Sequence, residues 1–246
     1  MFAKYSRKIY ICNMKSFQRD RETLEVEFTD DGSATLFVKS MNEHYHSVKG
    51  ALTESNHIFR DCAFLYRDNG EKRPLRLLEI GFGTGLNACV TAMAVEKASP
   101  VHYFSLEKYP VEADVLEQLH YEKFLDASLL SAIHRVPWNQ PVDIIPGFTL
   151  EKRMADYLTD PLPNRIDVVY FDAFAPEKQP EMWTREAFLR LFEVMNPGAV
   201  LTTYCAKGEI RRMLASIGLQ VERIPGPVGG KREILRATKP FYSIQP

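Results

Sequence analysis

Four acids and three glycines in this chain stand where a polar ligand would need them. Glu79-x-Gly81-x-Gly83-x-Gly85-Leu86-Asn87 follows the apolar run 75–80, and Leu86, Cys89, Val90 and Met93 then recur at helical spacing. That is a strand, a glycine loop and a helix. Its glycines admit positive φ and a close backbone approach, and the free N–H groups at the helix start can receive an anionic group. Glu107 closes the apolar run 101–106, 22 residues beyond Gly85, where an acid accepts hydrogen bonds from ribose hydroxyls. Asp172 closes the continuous apolar run 166–171, and Asp156 follows a weaker strand at 149–154, placed for an adenine amine. Ligands in open α/β sheets sit outside the carboxyl ends of the strands, so Asp172 is expected to face the same crevice as Gly81 to Gly85. The spacing fits a dinucleotide poorly. Leu86 stands where G-x-G-x-x-G/A wants a small residue, and a carboxylate at Glu79 would repel a pyrophosphate. Glu79 suits instead a ligand carrying an ammonium and a sulfonium, with another nucleotide or a ligand-free structural turn as the alternatives.

The elements that must position these groups read as an α/β chain. Residues 24–29 and 34–39 alternate around Asp30-Asp31-Gly32-Ser33 as a β-hairpin, and a helix follows from about Val48 to Leu65 with Ser47 as its cap. Glu54 shares a helix face with Ser47 and Gly50, aimed at whatever binds there. This gives an appendage over residues 1–66 and a core over 67–246. In the core, strands at 75–80, 101–107, 149–154, 166–171, 199–204, 219–224 and 233–237 alternate with helices and end in a hairpin-like pair, a seven-stranded, mostly parallel sheet. Residues 111–140 read as helical and then loop-like through Pro137, Pro141 and Pro146.

Composition excludes several classes. Cys12, Cys62, Cys89 and Cys205 lie far apart with no C-x-x-C pair, which predicts a reduced, cytoplasmic protein without disulfides or zinc, and His44-x-His46 lacks further ligands at metal spacing. No apolar run reaches the ~18 residues of a membrane span. Net charge is −1, yet residues 1–23 carry six Lys/Arg against two acids, and residues 205–239 carry eight against three. Two basic ends that converge would make a phosphate-binding rim; ordinary solvated faces are the alternative.

Several motifs together carry a family resemblance: Asp31-Gly32-Ser33, Tyr45-His46-Ser47 with Gly50-Ala51 and Glu54-Ser55, the glycine loop with its acid, Asp172-Ala173-Phe174-Ala175-Pro176 with Pro180-Glu181-Met182-Trp183, and Lys231-Arg232-Glu233. Acid-x-G-x-G-x-G resembles the first motif of class I S-adenosylmethionine-dependent methyltransferases, and the whole set, from about Leu24 to Thr238, resembles the methyltransferase domain of the MnmC family. The chain departs at Ala173, where Gly is also common, at Gln179, where Asn is usual, and at Ala155, where Gly usually precedes the acid.

The resemblance implies a class I, Rossmann-like fold with a small N-terminal hairpin and helix, S-adenosyl-L-methionine as cofactor, and methyl transfer to the primary amine of 5-aminomethyl(-2-thio)uridine at the tRNA wobble position. Cofactor binding then falls to Glu79, Gly81, Gly83, Gly85, Asn87, Glu107 and Asp156. Asp172 is expected to orient the amine and take its proton, with Tyr45 and Glu54 as the other catalytic candidates. Phe174, Pro176 and Trp183 are candidates to hold the flipped-out base, His46 to line the entrance, and Lys231 and Arg232 to contact phosphate. Two-domain members add an FAD-dependent oxidase for which this sequence holds no residues, so a separate upstream tRNA-modifying enzyme is expected to supply the aminomethyl group. The rival readings are a small-molecule amine methyl- or aminopropyltransferase and a non-catalytic tRNA-binding module.

Overall fold

The computed structural model describes residues 24–70 and 72–241. The basic segment 1–23 and Cys12 lie outside the described residues. An antiparallel three-stranded sheet, β1 (Leu24–Phe28), β2 (Ala34–Val38) and β3 (Glu43–His44), precedes the core. A helix follows, α1 (Ala51–Glu54), which continues as a wider π-wound stretch, Ser55–Leu65. The core strands are β4 (Leu75–Ile80), β5 (Val101–Glu107), β6 (Pro141–Ile145), β7 (Phe148–Met154), β8 (Ile166–Phe171), β9 (Met195–Thr203), β10 (Gln220–Pro225) and β11 (Glu233–Thr238). They form one sheet in the order β10-β11-β9-β8-β4-β5-β7-β6, parallel through β9-β8-β4-β5-β7 and antiparallel at both ends.

The sheet has eight strands where seven were expected. The additional one is β6, in the stretch that reads as loop because of its prolines. Pro141 is its first residue and β6 is an edge strand, the two circumstances in which a proline's missing N–H costs no ladder bond.

All six residues of β8 are buried, as a central parallel strand covered on both faces requires. Alternation then assigns sides. Leu75, Leu77, Val168 and Tyr170 pack in one layer with α2 (Leu86–Ala94), α3 (Ala113–Glu117), α4 (Ala127–Arg135), the π-wound helix and the hairpin residues Ala34 and Leu36. Leu78, Ile80, Val169 and Phe171 pack in the other with α5 (Arg185–Val194) and α6 (Gly208–Ser216). The Ile58, Phe59, Ala63 and Phe64 side chains of the early helix belong to the first of these cores.

Ser47 does not cap that helix; Gly50 occupies the cap position at φ 146°. The hairpin turn supplies the acceptors that the first turn lacks. Thr29 Oγ1 takes the Ala51 N–H, Ser33 Oγ the Leu52 N–H (3.1 Å) and Asp31 Oδ2 the Thr53 N–H (2.9 Å). Burial raises Asp31, but the bonds from Ser33 and Thr53 outweigh it and hold the carboxyl down at about 2. The Asp31-Gly32-Ser33 motif is therefore a helix cap supplied from a distant turn, and it fixes where Glu54 stands.

Candidate active site

The carboxyl ends of β4, β5, β7, β8 and β9 open on one cavity of about 1150 Å³. Its floor is the glycine loop. Gly81 (φ 90°) lies so close to β8 that a Cβ there would stand 3.0 Å from the Asp172 carbonyl oxygen, and a Cβ on Gly83 would meet the Tyr45 ring at 2.9 Å. The loop is clamped from two sides at Thr84. His46 Nε2 lies 2.7 Å from its hydroxyl, and His134 Nε2 donates to its carbonyl oxygen at 2.9 Å. Burial pushes His46 down to about 4 against the pull of Asp31, so it is a neutral tether at physiological pH. His134 is itself placed by Lys152, a buried lysine whose Nζ donates to the carbonyl oxygens of Ile133 and His134 at the end of α4.

Two of the expected cofactor acids line the cavity wall. Glu107, at the end of β5, accepts from the N–H of Gly83 (3.1 Å) and of Tyr109 (2.8 Å). Each carboxylate oxygen has a second lone pair, so acceptor capacity remains for a pair of hydroxyls. Asp156, after β7, accepts from the Leu158 N–H at 2.9 Å and pairs with Lys108 Nζ at 2.8 Å. Its carboxyl is lowered because these bonds outweigh burial.

At the opposite wall stands Asp172, which accepts from Asn87 Nδ2 at 2.8 Å. Desolvation, with the charge of Glu54 adding to it, lifts Asp172 to about 8, against the Asn87 bond and the charge of Lys231. Glu54 is buried, one oxygen accepting from the Ser47 N–H (3.0 Å) and the other 3.5 Å from Lys231 Nζ. The ammonium of Lys231 also sits 3.9 Å over the ring of Tyr204, whose hydroxyl donates to the Ala173 carbonyl oxygen. Tyr45 and Phe174 meet edge to face at 5.1 Å on the same cavity, with Pro176 and Arg232 also on its wall.

The structure thus gathers Gly81, Gly83, Glu107, Asp156, Asp172, Glu54, Tyr45, His46, Phe174, Pro176, Lys231 and Arg232 around one space. Other expected residues serve from behind it. Glu79 is fully buried beneath the loop and accepts from Ser105 Oγ at 2.7 Å. Burial lifts its carboxyl to about 8, the Ser105 bond opposing and the charge of Asp172 adding. Asn87 is buried and turned to Asp172, and Gly85 (φ 76°) forms the cap of α2. Trp183 does not reach the cavity as a stacking platform. It is buried edge-on against Phe171, and its Nε1–H donates to the Phe174 carbonyl oxygen at 2.7 Å, so it holds the Asp172–Phe174 turn in place. Lys231 points inward to Glu54, not to an outer phosphate rim. Tyr204, Thr84, His134 and Lys152 were not singled out from the sequence. Only Tyr204 carried a signal there, standing at the carboxyl end of a predicted strand.

The fit of S-adenosyl-L-methionine to these residues rests on the close-approach glycines 81 and 83 and on two acids, Glu107 and Asp156, at the strand ends flanking them. Among the described residues no group of three or more His, Cys, Asp or Glu side chains is placed to hold a metal ion. No described helix is long and apolar enough to cross a membrane.

A family model of S-adenosyl-L-methionine-dependent methyltransferases matches residues 151–240. The bifunctional tRNA 5-methylaminomethyl-2-thiouridine biosynthesis protein MnmC of Ralstonia nicotianae is 32% identical over 224 residues, 85% of this chain. The chain spans about a third (33%) of the length of that relative. The crystal structure of MNMC2 from Aquifex aeolicus superposes with a TM-score of 0.70 at 25% identity, over 94% of this chain and 74% of that one. Spermidine synthase from Thermotoga maritima shares the fold alone, with a TM-score of 0.56 at 14% identity, over 90% of this chain and 70% of that one.

Proposed function

This chain is a relative of the methyltransferase part of the MnmC proteins, and from that premise we propose that it methylates the primary amine of 5-aminomethyl(-2-thio)uridine at the wobble position of tRNA, giving 5-methylaminomethyl(-2-thio)uridine. The cofactor, S-adenosyl-L-methionine, supplies a methyl group on a sulfonium. Gly81 and Gly83 admit it closely, and Glu107 and Asp156 take its hydroxyl and amine donors.

The observation that carries the reading is Asp172. Its carboxyl is lifted to about 8, stands beside a second acid and lies on the wall of a cavity rimmed by Tyr45 and Phe174. An amine entering as an ammonium lowers the pKa of such a carboxyl, which releases its own proton to solvent; the carboxylate then accepts a proton from the ammonium, leaving the neutral nitrogen that displacement requires. A base poised near the working pH does this best. Asn87 fixes the carboxylate, and Trp183 fixes the turn that bears it. Positioning of this kind supplies about 7–11 kcal/mol of barrier reduction for well-oriented groups, and no Lewis acid need be invoked. The Tyr45 and Phe174 rings give a base taken out of its stack an aromatic surface. Arg232, exposed at the mouth, suits a backbone phosphate.

The test is to incubate the protein with labelled S-adenosyl-L-methionine and tRNA whose wobble uridine carries an aminomethyl group, then to analyse the nucleosides. Label in 5-methylaminomethyl(-2-thio)uridine supports the reading. Label only in putrescine, offered in parallel with either S-adenosyl-L-methionine or its decarboxylated form, would replace it with a small-molecule amine transferase.

A further inference from the structure

Glu54 is a buried acid whose Oε2 has no hydrogen-bond partner, and the charge that faces it is the ammonium of Lys231 at 3.5 Å. The same ammonium lies 3.9 Å from the centre of the Tyr204 ring and within electrostatic reach of Asp172. Three sides of a seat for one organic cation are therefore present: an acid at one end, an acid at the other, and an aromatic face beneath. These three sides are fixed. Glu54 is held by the Ser47 N–H on a helix capped by the hairpin turn, Asp172 by Asn87, and Tyr204 by its bond to the Ala173 carbonyl oxygen. The cation is not. Lys231 keeps 41% of its side-chain surface exposed, hangs on a four-carbon stem and follows Gly229 and Gly230 in the β10–β11 connection.

We propose that Glu54, Asp172 and the face of Tyr204 form the seat of the acceptor's ammonium, and that Lys231 is a built-in competitor for that seat. Resting on the acceptor reading above, this assigns Tyr204 and Lys231 roles in specificity. An incoming ammonium that displaces Lys231 leaves the charge of the seat unchanged, so the two acids stay compensated throughout the exchange. A neutral or anionic acceptor would have to leave Lys231 in place, and Lys231 then bars the approach to Asp172. The seat thus selects amines over hydroxyl and carboxylate acceptors by exchange of like charge, not by added attraction.

The experiment uses a phosphate-free acceptor, so that any phosphate contact of Lys231 drops out. The nucleoside 5-aminomethyluridine is titrated calorimetrically into the full chain saturated with S-adenosylhomocysteine, for the wild type, Lys231→Met, Lys231→Gln, Glu54→Gln and Lys231→Met/Glu54→Gln. A seat filled by Lys231 nine-tenths of the time raises the apparent Kd about tenfold, so Lys231→Met and Lys231→Gln should each bind the nucleoside up to about tenfold more tightly. Glu54→Gln should bind it more weakly, and in that background Lys231→Met should no longer tighten binding, since competitor and seat are lost together. Unchanged or weaker binding in both Lys231 variants overturns the proposal, as does an equal gain from Lys231→Met with and without Glu54. Failure of the wild type to prefer 5-aminomethyluridine over uridine would instead overturn the acceptor reading on which the proposal stands.

Discussion

Replacing Asn87 by Ala removes a hydrogen bond to the Asp172 carboxylate from a buried donor. Asp172 sits at about 8 because desolvation and the charge of Glu54 raise it more than Asn87 and Lys231 lower it. A hydrogen bond to a charged group contributes about 1.5–3 kcal/mol, and about 1.4 kcal/mol corresponds to one pKa unit. Losing it should lift the carboxyl by roughly one to two units further. In the free enzyme that ionisation sets the acid limb of kcat/KM, which is expected near pH 8 in the wild type. The variant's limb should move alkaline by that amount, so that kcat/KM at pH 7 falls roughly 10- to 100-fold and recovers at higher pH. Ionisation of the acceptor amine contributes equally to both profiles, so the displacement between them isolates Asp172. Asp172→Asn should abolish the limb together with most of the rate. The reasoning fails if the wild-type limb lies in the ordinary carboxylate range, or if Asn87→Ala melts normally and its limb has not moved.

Glu107→Ala should weaken S-adenosyl-L-methionine binding by about 1.5–3 kcal/mol in calorimetry, and unchanged affinity would remove Glu107 from the cofactor site. For Glu79, the folded carboxyl lies at about 8 against an ordinary value of 4.5, so its contribution to stability is complete below about pH 4.5 and is lost as pH rises to 8. Glu79→Gln should therefore narrow the fall in urea-unfolding free energy between pH 5.5 and 8.5 by a few kcal/mol in order of magnitude, and an equally steep fall would show that Glu79 is ionised in the folded state. Arg232→Ala should reduce the log–log salt slope of tRNA binding by about 0.7 to 0.9, and an unaltered slope would place it on a solvated turn. The acid pair also predicts that an aminomethyl acceptor is methylated well ahead of a carboxymethylaminomethyl one, whose carboxylate would lie near Asp172; equal incorporation by mass spectrometry would sink that expectation.

The site residues that could be read from the sequence are those whose position follows from strand ends. Glu107 and Asp172 each close an apolar run and Asp156 follows a weaker strand, and the parallel order of β5, β7 and β8 brings all three to one edge. What escaped was anything set by a contact between distant segments. Trp183 and Phe174 are both aromatics of one motif, yet one faces the cavity and the other the core, because a short 3₁₀ turn at Pro180–Trp183 rotates the indole inward under the Asp172 turn. Thr84, His134 and Lys152 have no spacing that links them; only the packing of α4 beside β7 makes a clamp of them. Glu79 has the right type and spacing for a ligand contact but sits below the loop, because alternation along β4 and the turn at Gly81 point it away from the cavity.

The two acids of this site suit the cationic acceptor proposed above. The charge of Glu54 raises the cost of ionising Asp172, and among the described residues the cation set against the pair is the half-exposed Lys231. As methyl transfer proceeds, the acceptor nitrogen passes from neutral to positive, so carboxyl oxygens aimed at it stabilise the transition state more than the neutral amine that precedes it. A site built for an anionic or phosphorylated acceptor would place arginines where Glu54 and Asp172 stand. On the same proposal the product, a protonated secondary amine, meets the same competitor as the entering ammonium. Lys231 is the cation within reach. If its return to Glu54 speeds departure of the methylated base, Lys231→Met should lower kcat while tightening acceptor binding, and an unchanged kcat would confine Lys231 to the binding step.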